Sequence, residues 1–382
     1  MLDVSTQIAF FNFVPIVGGA EIVTMRLACG LHAHGWDVAY HARSALLDAC
    51  LEAGVPARAL SFASILRPPP LHYASHFINI CHLAAKLSTL RRPFVVHAVG
   101  VTSAIYTVRA VPLRDVSVIW HLHDVLDPSP KHRLIVSNLL RCPNVHVASV
   151  SDAVLSSLLS FGVDPRRVER IYNGLDLDQW RPVAGSGEFR ASTGTPPAAP
   201  VLACVGNLVA WKGADVFIEA AHRVDHPTAH WWIAGSAYTG DRTFELHLKK
   251  LAASGPAAHR IHFLGRQENI RGLMSEADIL VQPSIRPDPL PTTVMEAMAL
   301  ARPVLGSRIG GIPEMISDGE TGLLVPPADA SALARAMERM LADSAAARGM
   351  GAAGRVVCER RFAIDTCVER FGDLYQRLVS AL

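Results

Sequence analysis

Asp288 and Glu296 are two carboxylates eight positions apart in the stretch IRPDPLPTTVMEAMALARPVLGSRIGGIPEMISDGETGLLVPPADA. Proline has no backbone donor and pushes the residue before it towards extended conformations. Pro287, Pro289 and Pro291 therefore keep the loop carrying Asp288 extended until a helix begins near Thr292. On that helix Thr293, Glu296 and Ala297 are neighbours on one face. The free N–H groups of a helix start attract anions, phosphates above all. One short segment thus offers a phosphate-binding terminus flanked by two carboxylates able to grip hydroxyls, the combination that a sugar nucleotide needs.

A second constellation is VGNLVAWKGADVFIEAA, where Asn207 and Lys212 follow a buried strand and Gly213 opens the next helix. A lysine there can meet a diphosphate as a mobile cation, and it reads equally well as a surface lysine at a helix start. His121 and His123 alternate with Leu122 in WHLHD, so both point to one side of a strand. Each also reads as a core histidine bonded to backbone. Glu21, beside Gly19, either touches a substrate or caps its own helix. Asp176-Leu177-Asp178 has the look of a metal-binding pair, but it follows Asn-Gly in a turn, where Asp is common for local reasons; it is rejected as a metal site. Among His72, His76 and His82, which read as decorating a helix face, no zinc spacing is closed by a Cys or carboxylate.

The elements that must hold these residues follow from rhythm. Gln7 to Phe13 reads as a strand, with a glycine loop at Gly18 and Gly19 and a helix from Ala20 to His34. Short apolar runs recur at VAYHA, FVVHAVG, VSVIWHLHD and VHVASVS, and again from PVLACVGNL through HWWIAGSA, RIHFLGR, ADILVQPS and PVLGS. Such runs alternating with helices indicate parallel, doubly wound sheets. The polar, Gly/Pro-rich stretch 182–199 marks the boundary between two domains, a division that 382 residues suit. The final helix, Asp365 to Leu382, has Val368, Phe371, Leu374 and Leu378 at helical spacing and is expected to pack on a domain face. Both glycine loops follow strands, where sheets of this kind bind ligands.

Composition removes several classes. A net charge of +2 argues against a bulk polyanion, so no nucleic-acid partner is expected. No apolar run approaches the roughly 18 residues that span a bilayer, and the N-terminus reads as a strand, not a signal peptide. Seven cysteines without CxxC spacing suit a reducing compartment, and the expected location is cytoplasmic. The basic residues Arg67, Lys86, Arg91 and Arg92 around an amphipathic segment read first as a solvated face and second as a peripheral contact with an anionic membrane at its inner face.

Four marks in order, GNLVAWKG, FLGRQENIRGLMSEADILVQPS, DPLPTTVMEAMALARPV and GGIPEMISDGETGLLVPPAD, resemble the retaining GT-B glycosyltransferases of family four. The first half resembles them through VGGAE, WHLHD, SVSDAVLSSLLSFGV and IYNGLDLDQWRP. The resemblance implies two Rossmann-like domains facing each other across a cleft, residues 1–182 binding the acceptor and 183–364 the nucleotide sugar, with 365–382 as the returning helix. It implies that Glu296 holds the ribose hydroxyls, that Asp288 contacts the transferred sugar, and that Lys212 supports the departing diphosphate. It implies further that Gly18 and Gly19 approach phosphate or acceptor, and that His123 faces the sugar. The chain departs from the family pattern three times. Asp288 is one methylene shorter than the usual Glu, Asn207 stands where an arginine is common, and Pro291 replaces a glycine, leaving Leu290, Thr292 and Thr293 as the N–H donors of that turn. Arg286 and Arg308 are candidates to restore the lost charge.

The implied activity is transfer of a hexose from a nucleotide diphosphate sugar, UDP by family frequency, to an acceptor hydroxyl without a metal or other cofactor. The acceptor is expected on the N-terminal domain, at the loops around residues 62–75 and 100–115, with lipid-linked or polysaccharide acceptors first and a small polyol or natural product second. A sugar-nucleotide epimerase, a phosphorolytic enzyme or a catalytically silent partner subunit are the alternatives. A dehydrogenase is set aside because VGGAE is not GxGxxG.

Overall fold

The computed structural model describes residues 6–14, 17–42, 46–60, 71–90, 94–111, 116–237 and 242–381, with the side chains of 71–74 outside the description. Its chain forms two compact units, residues 1–174 with 364–382 and residues 175–363.

In unit 1 the described strands are β1 (Gln7–Asn12), β2 (Asp37–Ala42), β3 (Ala57–Ala59), β4 (Phe94–Val99), β5 (Ser117–Leu122), β6 (Val145–Ser149) and β7 (Val168–Arg170). They pair in parallel in the order β3-β2-β1-β4-β5-β6-β7. Unit 2 contains β8 (Val201–Val205), β9 (His230–Ala234), β10 (Ile261–Gly265), β11 (Ile279–Gln282), β12 (Val304–Ser307) and β13 (Gly322–Val325), in the order β10-β9-β8-β11-β12-β13 and again parallel. In both sheets the winding reverses beside the first strand, between β1 and β4 and between β8 and β11. Helices cover both faces of such sheets, which is why the strands read as unbroken apolar runs. Strand β9 shows the consequence. Trp231 and Trp232 point to opposite faces and both are fully buried. Trp231 joins the core under the helix Ala214–Arg223, whereas Trp232 lies near Phe189 and donates its indole N–H to Thr195 Oγ1 at 3.3 Å.

The C-terminal helix, Ile364–Ser380, belongs to unit 1 and buries Val368, Phe371, Leu374, Tyr375 and Leu378 in the core shared with the helix Gly19–Ala33. The first chain crossing between units falls at Gly174–Leu175, ahead of the expected boundary at residue 182. The stretch 182–199 is a strap on unit 2. The Glu276 carboxylate accepts from Ser186 Oγ at 3.1 Å and from the Arg190 N–H at 3.0 Å, and Arg190 reaches the carbonyls of Pro196 and Ala199. Its glycines and prolines bend it onto that anchor. Residues 71–75 and 100–110, expected in loops, belong to the helices Leu71–Leu87 and Gly100–Ala110. Residues 62–70 and 112–115, and with them Arg67, Arg91 and Arg92, lie outside the described residues.

Among the described residues no helix is long and apolar enough to cross a membrane.

Candidate functional site

The sequence-predicted residues of the second unit converge where its sheet reverses. After β8 the chain forms a short turn, Ala210–Lys212, before the helix Ala214–Arg223. After β11 it runs through Pro283 and Ser284 to Asp288 and enters the helix Thr292–Ala299. Lys212 Nζ donates to Asp288 Oδ2 at 2.6 Å and lies 4.5 Å from the centre of the Trp211 ring. The Asp288 side chain is 4% exposed and that of Lys212 is 22% exposed, so the pair is screened on one side and open on the other. Gln282 Nε2 and Ser284 Oγ also donate to Asp288 Oδ2, at 3.3 and 3.2 Å. Charge-assisted bonds of this kind are roughly twice as strong as neutral ones, and here they take the place of solvent around a buried carboxylate.

Two glycines permit this arrangement. Gly213 has φ +75°, and a Cβ there would sit 2.0 Å from the Pro283 carbonyl oxygen, so only glycine lets the two loops touch. Gly310 has φ +61°, and its Cβ would lie 2.3 Å from the Asp288 carbonyl oxygen, which also accepts the Gly311 N–H at 2.8 Å. The backbone of Asp288 is thus clamped by the glycine pair that follows β12.

Pro291 caps the helix Thr292–Ala299 from an extended conformation, and the first intrahelical bond runs from the Val294 N–H to the Pro291 carbonyl at 3.2 Å. The N–H groups of Thr292 and Thr293 precede that bond, as at any helix start. The Thr293 hydroxyl donates to Gln282 Oε1 at 2.7 Å, which leaves its amide as the group it can offer a ligand. Glu296 lies one turn further on and is 7% exposed; Leu290 is buried. Asn207 is exposed in the loop after β8. Of the two arginines considered in its stead, Arg308 already donates to Asp318 at 2.5 Å, and Arg286 is exposed.

In unit 1 the glycine loop precedes the helix Gly19–Ala33. Gly18 is extended, and its N–H donates to Glu21 Oε2 at 2.9 Å; Glu21 caps its own helix, and burial raises its pKa. His123 follows β5, is 9% exposed, and burial pushes its pKa down to about 3, so it is a neutral imidazole at ordinary pH. His121 belongs to the core, as its second reading had it, but its partner is a side chain. Tyr375 Oη lies 2.8 Å from His97 Nδ1, His97 Nε2 lies 3.0 Å from His121 Nδ1, and the rings of His121 and His123 are 4.1 Å apart. A buried tyrosine O–H must donate, which places the His97 proton on Nε2 and makes His121 the next acceptor.

Elsewhere, Asp176 Oδ1 accepts the N–H groups of Asp178 and Gln179, an ordinary turn. His76 is half-buried and stacks on Tyr106, whose hydroxyl lies 2.7 Å from its Nδ1; His82 is exposed, and the His72 side chain lies outside the described residues. The residues that sequence reasoning missed are Gln282, Ser284, His97 and Tyr375. A lone glutamine closing the apolar run ADILVQ was the one available signal for the first of them.

A profile described as Glycosyltransferase Family 4 matches residues 17–179, and one described as Glycosyl transferases group 1 matches residues 199–343. The alpha-maltose-1-phosphate synthase of Mycobacterium tuberculosis is 33% identical over 247 residues, which are 61% of this chain and 63% of that relative. The lipopolysaccharide core biosynthesis glycosyltransferase LpsE of Rhizobium meliloti is 35% identical over 155 residues, 41% of this chain and 43% of its own. The chain therefore spans less than two thirds of the curated relatives it matches. In fold it is similar to Anabaena HepE in complex with UDP-glucose, with a TM-score of 0.85 at 20% identity over 97% of this chain and 99% of that one. It is likewise similar to sucrose-phosphate synthase from Thermosynechococcus elongatus, with a TM-score of 0.79 at 22% identity over 99% and 100%. The two Rossmann-like, doubly wound units are those of the GT-B fold. The two profiles between them cover most of the sequence, and the chain is a member of the family 4 glycosyltransferases.

Proposed function

We propose that this protein is a retaining glycosyltransferase that moves a hexose from a nucleotide diphosphate sugar to an acceptor hydroxyl without a metal ion. The observation that carries the reading is the Lys212–Asp288 pair at the reversal point of the second sheet, beside the open first turn of the helix that bears Glu296. Expelling the diphosphate is the hard step, and preorganised donors where charge develops are the largest lever on it. Lys212 and the amides of Thr292 and Thr293 are the groups for that work. Glu296 holds the ribose, and Asp288 and His123 orient the sugar rather than attack it. Lys212 is already a donor to a carboxylate oxygen, and it turns from that oxygen to a phosphate oxygen when the donor binds. In the transfer the C1–O bond to phosphate breaks, C1 bonds to the acceptor oxygen on the same face, and the acceptor proton passes to the departing phosphate oxygen. No enzyme nucleophile is required.

The complexes of HepE with UDP and UDP-glucose support a uridine donor. Unit 1 is assigned the acceptor, lipid-linked or polysaccharide, and seven free cysteines suit a cytoplasmic enzyme acting at or near the inner membrane face. Thermal shift against a panel of nucleotide sugars tests the donor, because a ligand that binds only the folded state raises its stability. Mass analysis of the products then separates transfer from epimerisation or phosphorolysis. No shift with any nucleotide sugar, or turnover abolished by EDTA and restored by Mg²⁺, overturns the proposal in its donor or metal-free part respectively.

Replacing Glu296 by alanine is expected to weaken nucleotide binding by about 10-fold or more, the scale of one or two lost charge-assisted hydrogen bonds. The rate at saturating donor should change little. Calorimetry that finds UDP affinity unchanged in Glu296→Ala removes the ribose-holding role.

A further inference from the structure

We propose that Gln282 is a positioning residue for transfer: it locks the Asp288 carboxylate so that one oxygen faces the protein and the other is kept for the sugar. This rests on the reading of Asp288 as the sugar-contacting carboxylate.

Gln282 ends β11 and is 4% exposed. The three residues before it, Ile279, Leu280 and Val281, are buried and apolar, so a leucine would suit the strand pattern at least as well. Burying a primary amide is unfavourable unless its hydrogen bonds are made. Here they are. Nε2 donates to Ser284 Oγ at 2.9 Å and to Asp288 Oδ2 at 3.3 Å, and Oε1 accepts from Thr293 Oγ1 at 2.7 Å. Chemistry fixes the amide orientation, since turning it over would set its oxygen against a carboxylate oxygen. Gln282 therefore ties together the end of a strand, the loop bearing Asp288 and the first turn of the helix bearing Glu296.

Among the described residues, the side-chain donors to Asp288 are Lys212, Gln282 and Ser284, and all three reach Oδ2. That leaves Oδ1 as the oxygen for a hydroxyl. Lys212 cannot maintain the arrangement alone. Its ammonium is a mobile point charge, and it must turn to the diphosphate when the donor binds. The neutral pair Gln282 and Ser284 holds Oδ2 through that exchange. A carboxylate one methylene shorter than the family's usual glutamate has less freedom to recover a lost aim, so the lock matters more here than it would for the longer side chain.

The test uses the full chain with UDP and UDP-glucose as probes. In Gln282→Leu the melting temperature and UDP affinity are expected to stay close to wild type. The added affinity of UDP-glucose over UDP should shrink, and slow release of UDP from UDP-glucose in water should fall roughly 10- to 100-fold, the usual scale for misaimed reacting groups. Thr293→Val, which removes the far anchor of the amide, should show a weaker form of the same split, and Gln282→Leu/Thr293→Val should be no worse than Gln282→Leu alone. If Gln282→Leu does not fold, Thr293→Val carries the comparison. A Gln282→Leu enzyme with wild-type hydrolysis overturns the inference while leaving the proposed function intact. So does one in which UDP affinity and stability fall together, because the amide is then only structural. A wild-type protein that binds UDP but gains nothing from the glucose overturns the sugar-contacting role of Asp288, and the inference with it.

Discussion

Lys212→Ala is expected to lower the rate of transfer by about 10²- to 10³-fold at saturating donor, the scale on which removal of one preorganised transition-state donor acts. The reason is specific to where the charge moves. In the ligand-free protein the ammonium lies 2.6 Å from Asp288 Oδ2, so it is held beside the loop of the sugar-contacting carboxylate until the diphosphate draws it away. Negative charge then grows on the departing diphosphate, and with Asn207 in place of an arginine the loop after β8 supplies no second cation from that position. Arg308 is held by Asp318, so Lys212 carries more of the work than it would with an arginine beside it. The substitution also strips a buried carboxylate of its counter-ion. Breaking a fully buried pair costs about 3–5 kcal/mol, but Lys212 is partly exposed and Gln282 and Ser284 still hold Asp288, so a loss of about 1–2 kcal/mol in unit 2 is the expectation. The two effects separate by a second substitution. Lys212→Ala/Asp288→Asn should regain stability, because no buried charge remains unpaired, yet recover no activity. Transfer in Lys212→Ala within a few-fold of wild type would falsify the assigned role.

The parts of this site that could be read from sequence are those whose chemistry is local. Asp288, the proline-stiffened loop and the helix start at Thr292 lie within five residues of one another, and turn and cap rules act over that range. The salt bridge that joins Asp288 to Lys212 crosses 76 positions and depends on the winding order of the sheet, which puts the ends of β8 and β11 side by side. Gln282 escaped notice for a different reason. It reads as one more strand residue until Asp288 and Thr293 are seen to need its amide. The stretch 182–199 shows how composition misleads: Gly and Pro mark a linker and a tightly bent strap alike, and the carboxylate that makes it a strap, Glu276, lies 86 positions from Arg190. His121 was legible as a core histidine, but Tyr375, at the head of its hydrogen-bond chain, comes from the opposite end of the sequence.

That chain leads to the other large effect, a loss of stability in mild acid that begins in unit 1. His41, His97, His121 and His123 are all buried there. Burial pushes His41 and His123 down to about 3, with Lys86 and Arg58 adding to the effect at His41, and it holds His97 and His121 well below the usual range. Each is therefore neutral in the fold, whereas the unfolded chain takes up a proton near pH 6.5. With the folded pKa depressed, the unfolded state binds more protons below pH 6.5, so stability is complete above that pH and falls as pH drops towards 3. A histidine kept neutral to pH 5.5 gives up about 1.4 kcal/mol, and four give up about 6 kcal/mol, a large share of what holds an ordinary domain together. Glu21 and Asp124 work in the opposite sense, since burial raises both and the fold then gains as they protonate, but they are two against four. In unit 2 His230 and His262 are lowered too, yet they are only half-buried and solvent discounts them. Hydrogen exchange followed by mass between pH 8 and 5 should show unit 1 losing protection first. His41 supplies the control. Among the described residues neither of its ring nitrogens has a hydrogen-bond partner, and its ring stacks on Phe11, so His41→Phe removes one titrating group without breaking a described bond. The variant should unfold at lower pH, with the dependence of stability on pH reduced by about one proton. A flat stability profile between pH 7 and 5.5 in the wild type would mean that the histidines find protons or water inside the fold, and the neutral role given to His123 would go with it.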